Sequence, residues 1–260
     1  MDRARRRKFG QNFLDDATAK LIAGDLAVDF TTPILEIGPG HGAMTVHLLE
    51  YNVPLTAVEI DEQCVALLKE KFKSKKNFNV IHSDFLKFDL DTWISENNKP
   101  WITGNLPYNV STGIISSVMP KLYMTKGFMG MVQFEVAKRI CAIPGSRDYG
   151  SLSVYVSCFA NTKILRKIGP EHFTPKPNVD SATILLTPLE KPLSADSDFF
   201  TFVQRAFLQK RKRISNSLSA FYKKEEVFDA LEKIGFTENA RAEELSPENF
   251  LALYQILGNP

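Results

Sequence analysis

Glu36-Ile37-Gly38-Pro39-Gly40-His41-Gly42 is the stretch that decides the fold. An apolar run, Ile34-Leu35-Glu36-Ile37, gives way to closely spaced glycines and then to a helical pattern, which spells a strand, a tight turn and a helix. Glycines there let the chain turn sharply and let its backbone approach a ligand closely. Three more stations follow at intervals of roughly 20–25 residues, each where a strand-like run ends: Val58-Glu59-Ile60-Asp61, Ser83-Asp84-Phe85 and Gly104-Asn105-Leu106-Pro107-Tyr108. Successive strands of a parallel sheet present their carboxyl ends to one crevice. This order therefore brings a glycine loop, two acids and an Asn-Leu-Pro-Tyr turn to one site.

Taken alone, the glycine loop fits two kinds of ligand. Gly38, Gly40 and Ala43 satisfy the dinucleotide pattern G-x-G-x-x-G/A, and Glu59 stands about 20 residues on, where a ribose-binding acid belongs, so a nicotinamide enzyme stays open at this step. The next two stations separate the readings. Asp84 follows the apolar run Phe78-Asn79-Val80-Ile81 and is placed to accept a hydrogen bond from an adenine amino group. Asn105-Leu106-Pro107-Tyr108 has no part in hydride transfer, but it suits methylation of a planar amine. The exocyclic nitrogen of adenine is a poor nucleophile because its lone pair is delocalised into the ring. A site that accepts from both amino hydrogens favours the pyramidal geometry that attacks a sulfonium methyl. The acceptors are the Asn105 side-chain oxygen and a turn carbonyl, at Leu106 or Pro107. Pro107 stiffens the turn, and Tyr108 offers a face on which a flipped base stacks, worth roughly 1–3 kcal/mol. No strong general base is needed, because the amine becomes acidic once methylated.

With these residues in place, the chain resembles the ribosomal RNA adenine dimethyltransferases, and within them the branch acting on bacterial small-subunit (16S) RNA. Lys8-Phe9-Gly10-Gln11-Asn12-Phe13-Leu14 is similar to the family's opening motif, and Phe173-Thr174-Pro175-Lys176-Pro177-Asn178-Val179-Asp180-Ser181-Ala182 to its target-side loop. Ala206 to Arg213 with Asn216-Ser217-Leu218, and Arg241-Ala242-Glu243-Glu244-Leu245-Ser246, are similar to motifs of a small carboxyl-terminal domain. The resemblance runs from Arg7 to Tyr254. It implies an α/β fold: a Rossmann-like class I S-adenosylmethionine-dependent methyltransferase domain over residues 1–190, with a small all-α RNA-binding domain over 191–260. The family's cofactor roles fall on Asn12, Leu14, Gly38, Glu59, Asp84 and Asn105, with Gln11, Gly40, Ile60 and Phe85 beside them in the same motifs. The target base falls to Phe173, and RNA contact to Lys210, Arg211, Lys212 and Arg213. Two departures stand out: His41-Gly42 in the glycine loop, and Arg213-Ile214-Ser215, where Thr-Leu-Arg is more usual.

The activity so implied is conversion of two neighbouring adenosines to N6,N6-dimethyladenosine in the hairpin loop near the 3′ end of small-subunit RNA. It would occur within a late assembly particle, by a cytoplasmic monomer with a role in ribosome biogenesis. Other readings remain. A sister enzyme on large-subunit RNA, of the macrolide-resistance type, shares the cofactor motifs but not those after Phe173. A non-catalytic assembly or transcription factor could keep the fold. DNA adenine methyltransferases more often carry Asn or Asp-Pro-Pro-Tyr at the turn.

Whole-chain properties agree with this assignment. The chain has 260 residues, enough for one or two domains with a sizeable core, and a net charge of only +2. Distribution matters more than the total: Arg3, Arg5, Arg6, Arg7 and Lys8 cluster at the start and Lys210 to Arg213 near the end, as suits phosphate contacts. Three cysteines without paired spacing read as reduced core thiols, and four dispersed histidines give no metal motif. No signal peptide is legible, and no apolar run is long enough to cross a bilayer.

Periodicity predicts a helix over 16–27 and another over 63–71, strands at 34–37, 55–58, 79–81, 101–103 and 128–133, and later strands at 164–168 and 183–187. Pro188 to Asp198, rich in proline, serine and acid, is the expected linker, followed by helices to the end. Each site residue also has a plainer reading. Glu59 and Asp84 in isolation are solvated loop acids, Tyr108 and Phe173 packed aromatics, the 210–213 run a solvated helix face, and Gln11 and Asn12 helix caps.

Overall fold

The computed structural model describes residues 12–29 and 31–258. Gln11 and the amino-terminal basic cluster lie outside them. The chain forms two compact units, one of residues 1–137 with 161–190 and one of 138–160 with 191–260. The first holds a seven-stranded sheet built from β2 (Ile34–Ile37), β3 (Leu55–Glu59), β4 (Phe78–His82), β5 (Trp101–Asn105), β6 (Gly127–Gln133), β7 (Ala160–Ile168) and β9 (Ser181–Pro188), in the order β4-β3-β2-β5-β6-β9-β7. Strands β4 to β6 pair in parallel, and β9 runs antiparallel to β6. From β2 the chain moves outward through β3 to β4, then returns to add β5 and β6 on the other side. The crevice of a doubly wound sheet therefore opens between the carboxyl ends of β2 and β5. At that junction Gly104 of β5 packs so close that a Cβ there would stand 2.4 Å from the carbonyl oxygen of Ile37.

Aspartates start several of the helical segments. Asp15 accepts from the Thr18 amide at the head of Asp16–Gly24, Asp61 from Gln63 at the head of Glu62–Lys71, and Asp89 from Thr92 at the head of Leu90–Glu96. Each side chain satisfies an amide that the first helical turn leaves open. The first helix stops at Gly24 rather than running on to Ala27 as its periodicity predicts. The carbonyls at its end and beyond are claimed by other side chains: Tyr51 Oη donates to Ala23 and Leu26, and Trp101 Nε1 to Ala27.

Sequence periodicity also misses a short ribbon. β1 (Phe13–Leu14) pairs antiparallel with β8 (Phe173–Thr174), with Leu14 opposite Phe173, so the opening motif and the target-side loop share one edge. Phe173 is 2% exposed and packs in the same core as Leu14, Met129 and Met131. Its ring is thus a core element rather than the stacking face expected for a target base.

The second unit holds residues 138–160 in addition to 191–260. Residues 138–160 belong with the carboxyl-terminal helices because Tyr149, Val154 and Cys158 are buried against Phe199, Phe202 and Phe250. Tyr149 Oη donates to the Leu245 carbonyl, and the Leu193 amide to that of Cys158. Lys210 to Arg213 lie in a turn between helices Ser197–Ala206 and Ile214–Leu218, not on a helix face. Among the described residues no helix is long and apolar enough to cross a membrane.

Candidate active site

Two adjoining cavities, of about 80 and 240 Å³, open at the carboxyl ends of the parallel strands. Gly38, Ile60 and Pro107 line both. The first is lined further by Asn12, Leu14, Glu36, Gly40, Glu59, Asn105, Leu106 and Tyr108, and the second by Asp84, Phe85, Leu86 and Val110. All the expected cofactor and turn residues among those described therefore converge on one place.

The glycine loop is held by the acid that follows β3. Glu59, 3% exposed, accepts the Gly40 amide on Oε2 at 2.9 Å and the Asp61 amide on Oε1 at 2.8 Å. A carboxylate has about four acceptor positions, and the Ile60 amide also bonds to it, which leaves room for a ligand hydroxyl. Burial pushes its pKa up, against the pull of the Asp61, Gly40 and Ile60 amides. Gly40 takes φ +56°, and a Cβ there would meet the Phe13 ring at 3.0 Å. Phe13 in turn stacks on His41, centroids 4.0 Å apart, so β1 lies over the loop.

Glu36 is a second buried acid that sequence reasoning quoted but did not assign. It is 1% exposed, accepts from Thr45 Oγ1 at 2.7 Å, and lines the first cavity. Burial pushes its carboxyl up to about 7, with the Glu59 charge adding to the effect and the Thr45 hydroxyl opposing it. The signal was an acid inside an otherwise apolar strand, since such a group is not buried without a use or a partner.

Asn105 ends β5 with its side-chain nitrogen donating to the Asn12 carbonyl at 3.0 Å. A carbonyl can only accept, so this bond settles which end of the amide is which and turns the Asn105 oxygen away from Asn12 as an acceptor. The turn follows directly: the Leu106 amide donates to the Met131 carbonyl, and Val110 to that of Pro107. Tyr108, half-buried, hydrogen-bonds through its hydroxyl to Ser181 Oγ at the start of β9, which fixes its ring. In the second cavity Asp84 Oδ1 takes the Leu86 amide at 3.0 Å. Phe85 is buried at its wall, and Ile60, 43% exposed, is an apolar side chain at the mouth.

In the other unit, Lys210 donates to the Arg147 carbonyl at 2.6 Å, and Arg213 lies 3.8 Å from Glu238. Arg211 and Lys212 are exposed. Among the described residues no cluster of His, Cys, Asp or Glu could hold a metal ion.

A doubly wound sheet with this crevice, a ribose-type acid and an Asn-Leu-Pro-Tyr turn defines a class I methyltransferase. Comparison with known proteins narrows it. A family model described as ribosomal RNA adenine dimethylase matches residues 2–259. The ribosomal RNA small subunit methyltransferase A of Clostridium botulinum (strain Kyoto / Type A2) is 37% identical over 249 residues, which cover 94% of this chain and 90% of that one. Among solved structures, the 23S rRNA methyltransferase ErmE is 27% identical with a TM-score of 0.71, covering 95% of this chain and 99% of its own. A dimethyladenosine transferase from Plasmodium falciparum shares the fold, with a TM-score of 0.78 at 20% identity over 94% of this chain and 96% of that one. The chain belongs to the ribosomal RNA adenine dimethylase family, a family of S-adenosylmethionine-dependent methyltransferases.

Proposed function

We propose that this protein dimethylates the N6 amino groups of two adjacent adenosines near the 3′ end of small-subunit ribosomal RNA, within an assembling particle and as a monomer. The observation that carries the reading is Asn105. Its nitrogen is tied to the Asn12 carbonyl, so its oxygen is the hydrogen-bond acceptor at the mouth of the first cavity. The small-subunit branch rests on the 37% identity to a relative of that name, against 27% to a large-subunit enzyme.

The cavities fit the cofactor. Glu59 retains room for a ribose hydroxyl, Asp84 Oδ2 for an adenine amino group, and Ile60 and Phe85 supply apolar contact to the ring. Glu36 and Glu59 together give the first cavity a negative potential that suits a cationic sulfonium. The cofactor, when bound, supplies an electrophilic methyl group. The chain's own residues do the rest. The Asn105 oxygen and the Leu106 or Pro107 carbonyl accept from the two amino hydrogens and aim the nitrogen lone pair. Tyr108, locked by Ser181, stacks the base. After one methyl only one amino hydrogen remains, so one of the two acceptors gives up its bond in the second transfer. Arg211 and Lys212 contact RNA phosphates.

The test is transfer of labelled methyl to small-subunit particles from cells lacking the enzyme, beside large subunits and naked RNA, followed by nucleoside analysis. Dimethyladenosine in small-subunit particles alone is expected. Label in large-subunit RNA would move the protein to the other branch, and an active Asn105→Ala variant would remove the orienting role.

A further inference from the structure

The strand register places one more polar side chain on the face of the sheet that carries this site. In the sheet of the first unit, paired residues share a face and residues two apart on a strand return to it. Ile34 of β2, Trp101 of β5 and Met129 and Met131 of β6 all lie in the core that also holds Leu14 and Phe173, and Leu185 of β9 packs against it. Stepping two residues at a time toward the carboxyl end of each parallel strand on this face reaches Glu36 on β2, Glu59 on β3, Asn105 on β5 and Gln133 on β6. On β9, which runs the other way, the same step leads back to Ser181 at its start. Gln133 pairs with Ser181 in the register of β6 with β9. Ser181 is the residue that holds the Tyr108 hydroxyl. Gln133 is therefore on the Tyr108 side of the sheet, half-buried, one strand beyond Asn105, and its amide makes no hydrogen bond among the described residues.

We propose that Gln133 is a specificity-determining residue that donates its side-chain N–H to a ring nitrogen of the target adenine, N1 or N7. The inference rests on the reading of Tyr108 and Asn105 as the target-base site. The chemistry follows from what is already taken. Both amino hydrogens of the base are spoken for by Asn105 and the turn carbonyl, and its face by Tyr108, so the ring nitrogens flanking the amino group are the acceptors left. A glutamine amide suits them, since it is neutral, has two donors and does not compete for the amino hydrogens when its oxygen faces away. A half-buried amide with no partner among the described residues also loses little by turning to a base.

The test pairs enzyme and substrate changes. Small-subunit particles are reconstituted on ligated RNA carrying adenosine, 1-deaza-adenosine or 7-deaza-adenosine at the two target positions. Wild type and Gln133→Met, which keeps the length and loses the amide, are assayed on each. One deaza analogue is expected to lower the wild-type kcat/KM by about three- to tenfold, the range for one neutral hydrogen bond. Gln133→Met should show the same loss on adenosine and no further loss on that analogue, with its KM for S-adenosylmethionine unchanged. Gln133→Glu, an acceptor in place of a donor, should be poorer than Met. If Gln133→Met matches wild type on adenosine, or if the analogue penalty persists undiminished in it, the assignment falls while the dimethyltransferase reading stands. Failure of wild type to methylate adenosine in the particle would overturn both.

Discussion

Replacing Glu36 by glutamine should stabilise the protein, by an amount that grows as pH rises from 4.5 to about 7 and then levels off. The carboxyl is buried beneath the glycine loop, and burial raises its pKa from an ordinary 4.5 to about 7. A group whose pKa is higher in the folded state favours folding most below its unfolded value, and that advantage is lost as pH rises through the folded value. Between pH 4 and pH 8 the folded wild type must ionise a carboxyl that the unfolded chain ionises freely. A displacement from 4.5 to about 7, at about 1.4 kcal/mol per pH unit, comes to about 3 kcal/mol. The glutamine amide of the Glu36→Gln variant accepts the same Thr45 hydrogen bond and never ionises. Urea unfolding followed by tryptophan fluorescence is the assay. Both tryptophans, Trp93 and Trp101, lie in the methyltransferase unit, so the signal reports that unit. Wild type and Glu36→Gln should be nearly equal at pH 4, and the variant should lead by about 3 kcal/mol at pH 8. A gap that does not change with pH would mean that the carboxyl is not desolvated, and the account of this strand would be wrong.

Cofactor affinity should carry the same titration with the opposite benefit. A bound cation favours ionised Glu36, so calorimetric affinity for S-adenosylmethionine should rise from pH 6 to pH 8 in wild type, and rise less in Glu36→Gln. Tyr108→Phe loses the bond to Ser181 and should cost up to about tenfold in kcat/KM. Tyr108→Ala also loses the ring and should cost roughly a hundredfold, and equal effects would argue against stacking. Gly104→Ala sets a Cβ against the Ile37 carbonyl in the centre of the sheet, and urea unfolding should show a loss of about 1–3 kcal/mol. The double change Arg211→Glu, Lys212→Glu should weaken particle binding and lower the slope of log affinity against log salt by about 2, with cofactor affinity unchanged.

Strands β2 to β6 were legible because each is a short apolar run ended by a turn signal. The edges at Ile34 and Ile37 match the pattern, and the rest differ by two residues or fewer at either end. The cofactor stations were legible for the same reason, since they sit where period-two hydrophobicity stops. What pattern could not show is long-range pairing. The β1–β8 ribbon joins residues 13–14 to 173–174 with two residues on each side, too short for any periodicity, and it is what buries Phe173. The placement of 138–160 with the second unit depends on Tyr149, Val154 and Cys158 meeting aromatics at 199, 202 and 250, a contact no local signal encodes. Lys210 to Arg213 read as a helix face by charge alone, whereas Leu208 to Lys212 form a turn whose amides and lysine are satisfied by Arg205, Gln209, Ser217 and Arg147. Glu36 was legible as an anomaly but not as a site residue, because its role depends on facing the same way as Glu59 and Asn105.

That shared face explains why the sheet tolerates a costly group at its centre. On the same side, Ile34, Trp101 and Met129 form an apolar layer toward the amino ends of the parallel strands, and Glu36, Glu59 and Asn105 a polar layer toward the carboxyl ends. Successive side chains alternate between the two faces of the sheet, so a slip of one residue in any strand would turn its polar residue away from the cavity. The apolar layer enforces the register, and the register in turn holds the acids at the cavity. With the cavity filled only by water, ionised Glu36 is a net loss to folding; beside a sulfonium it has a counter-charge. A residue that weakens the empty protein and tightens the complex is the pattern expected where stability has been traded for binding. In wild type the Glu36 titration should therefore lower stability and raise cofactor affinity as pH rises, and a Glu36→Gln protein that gained stability without weakening that pH dependence of affinity would separate the burial argument from the functional one.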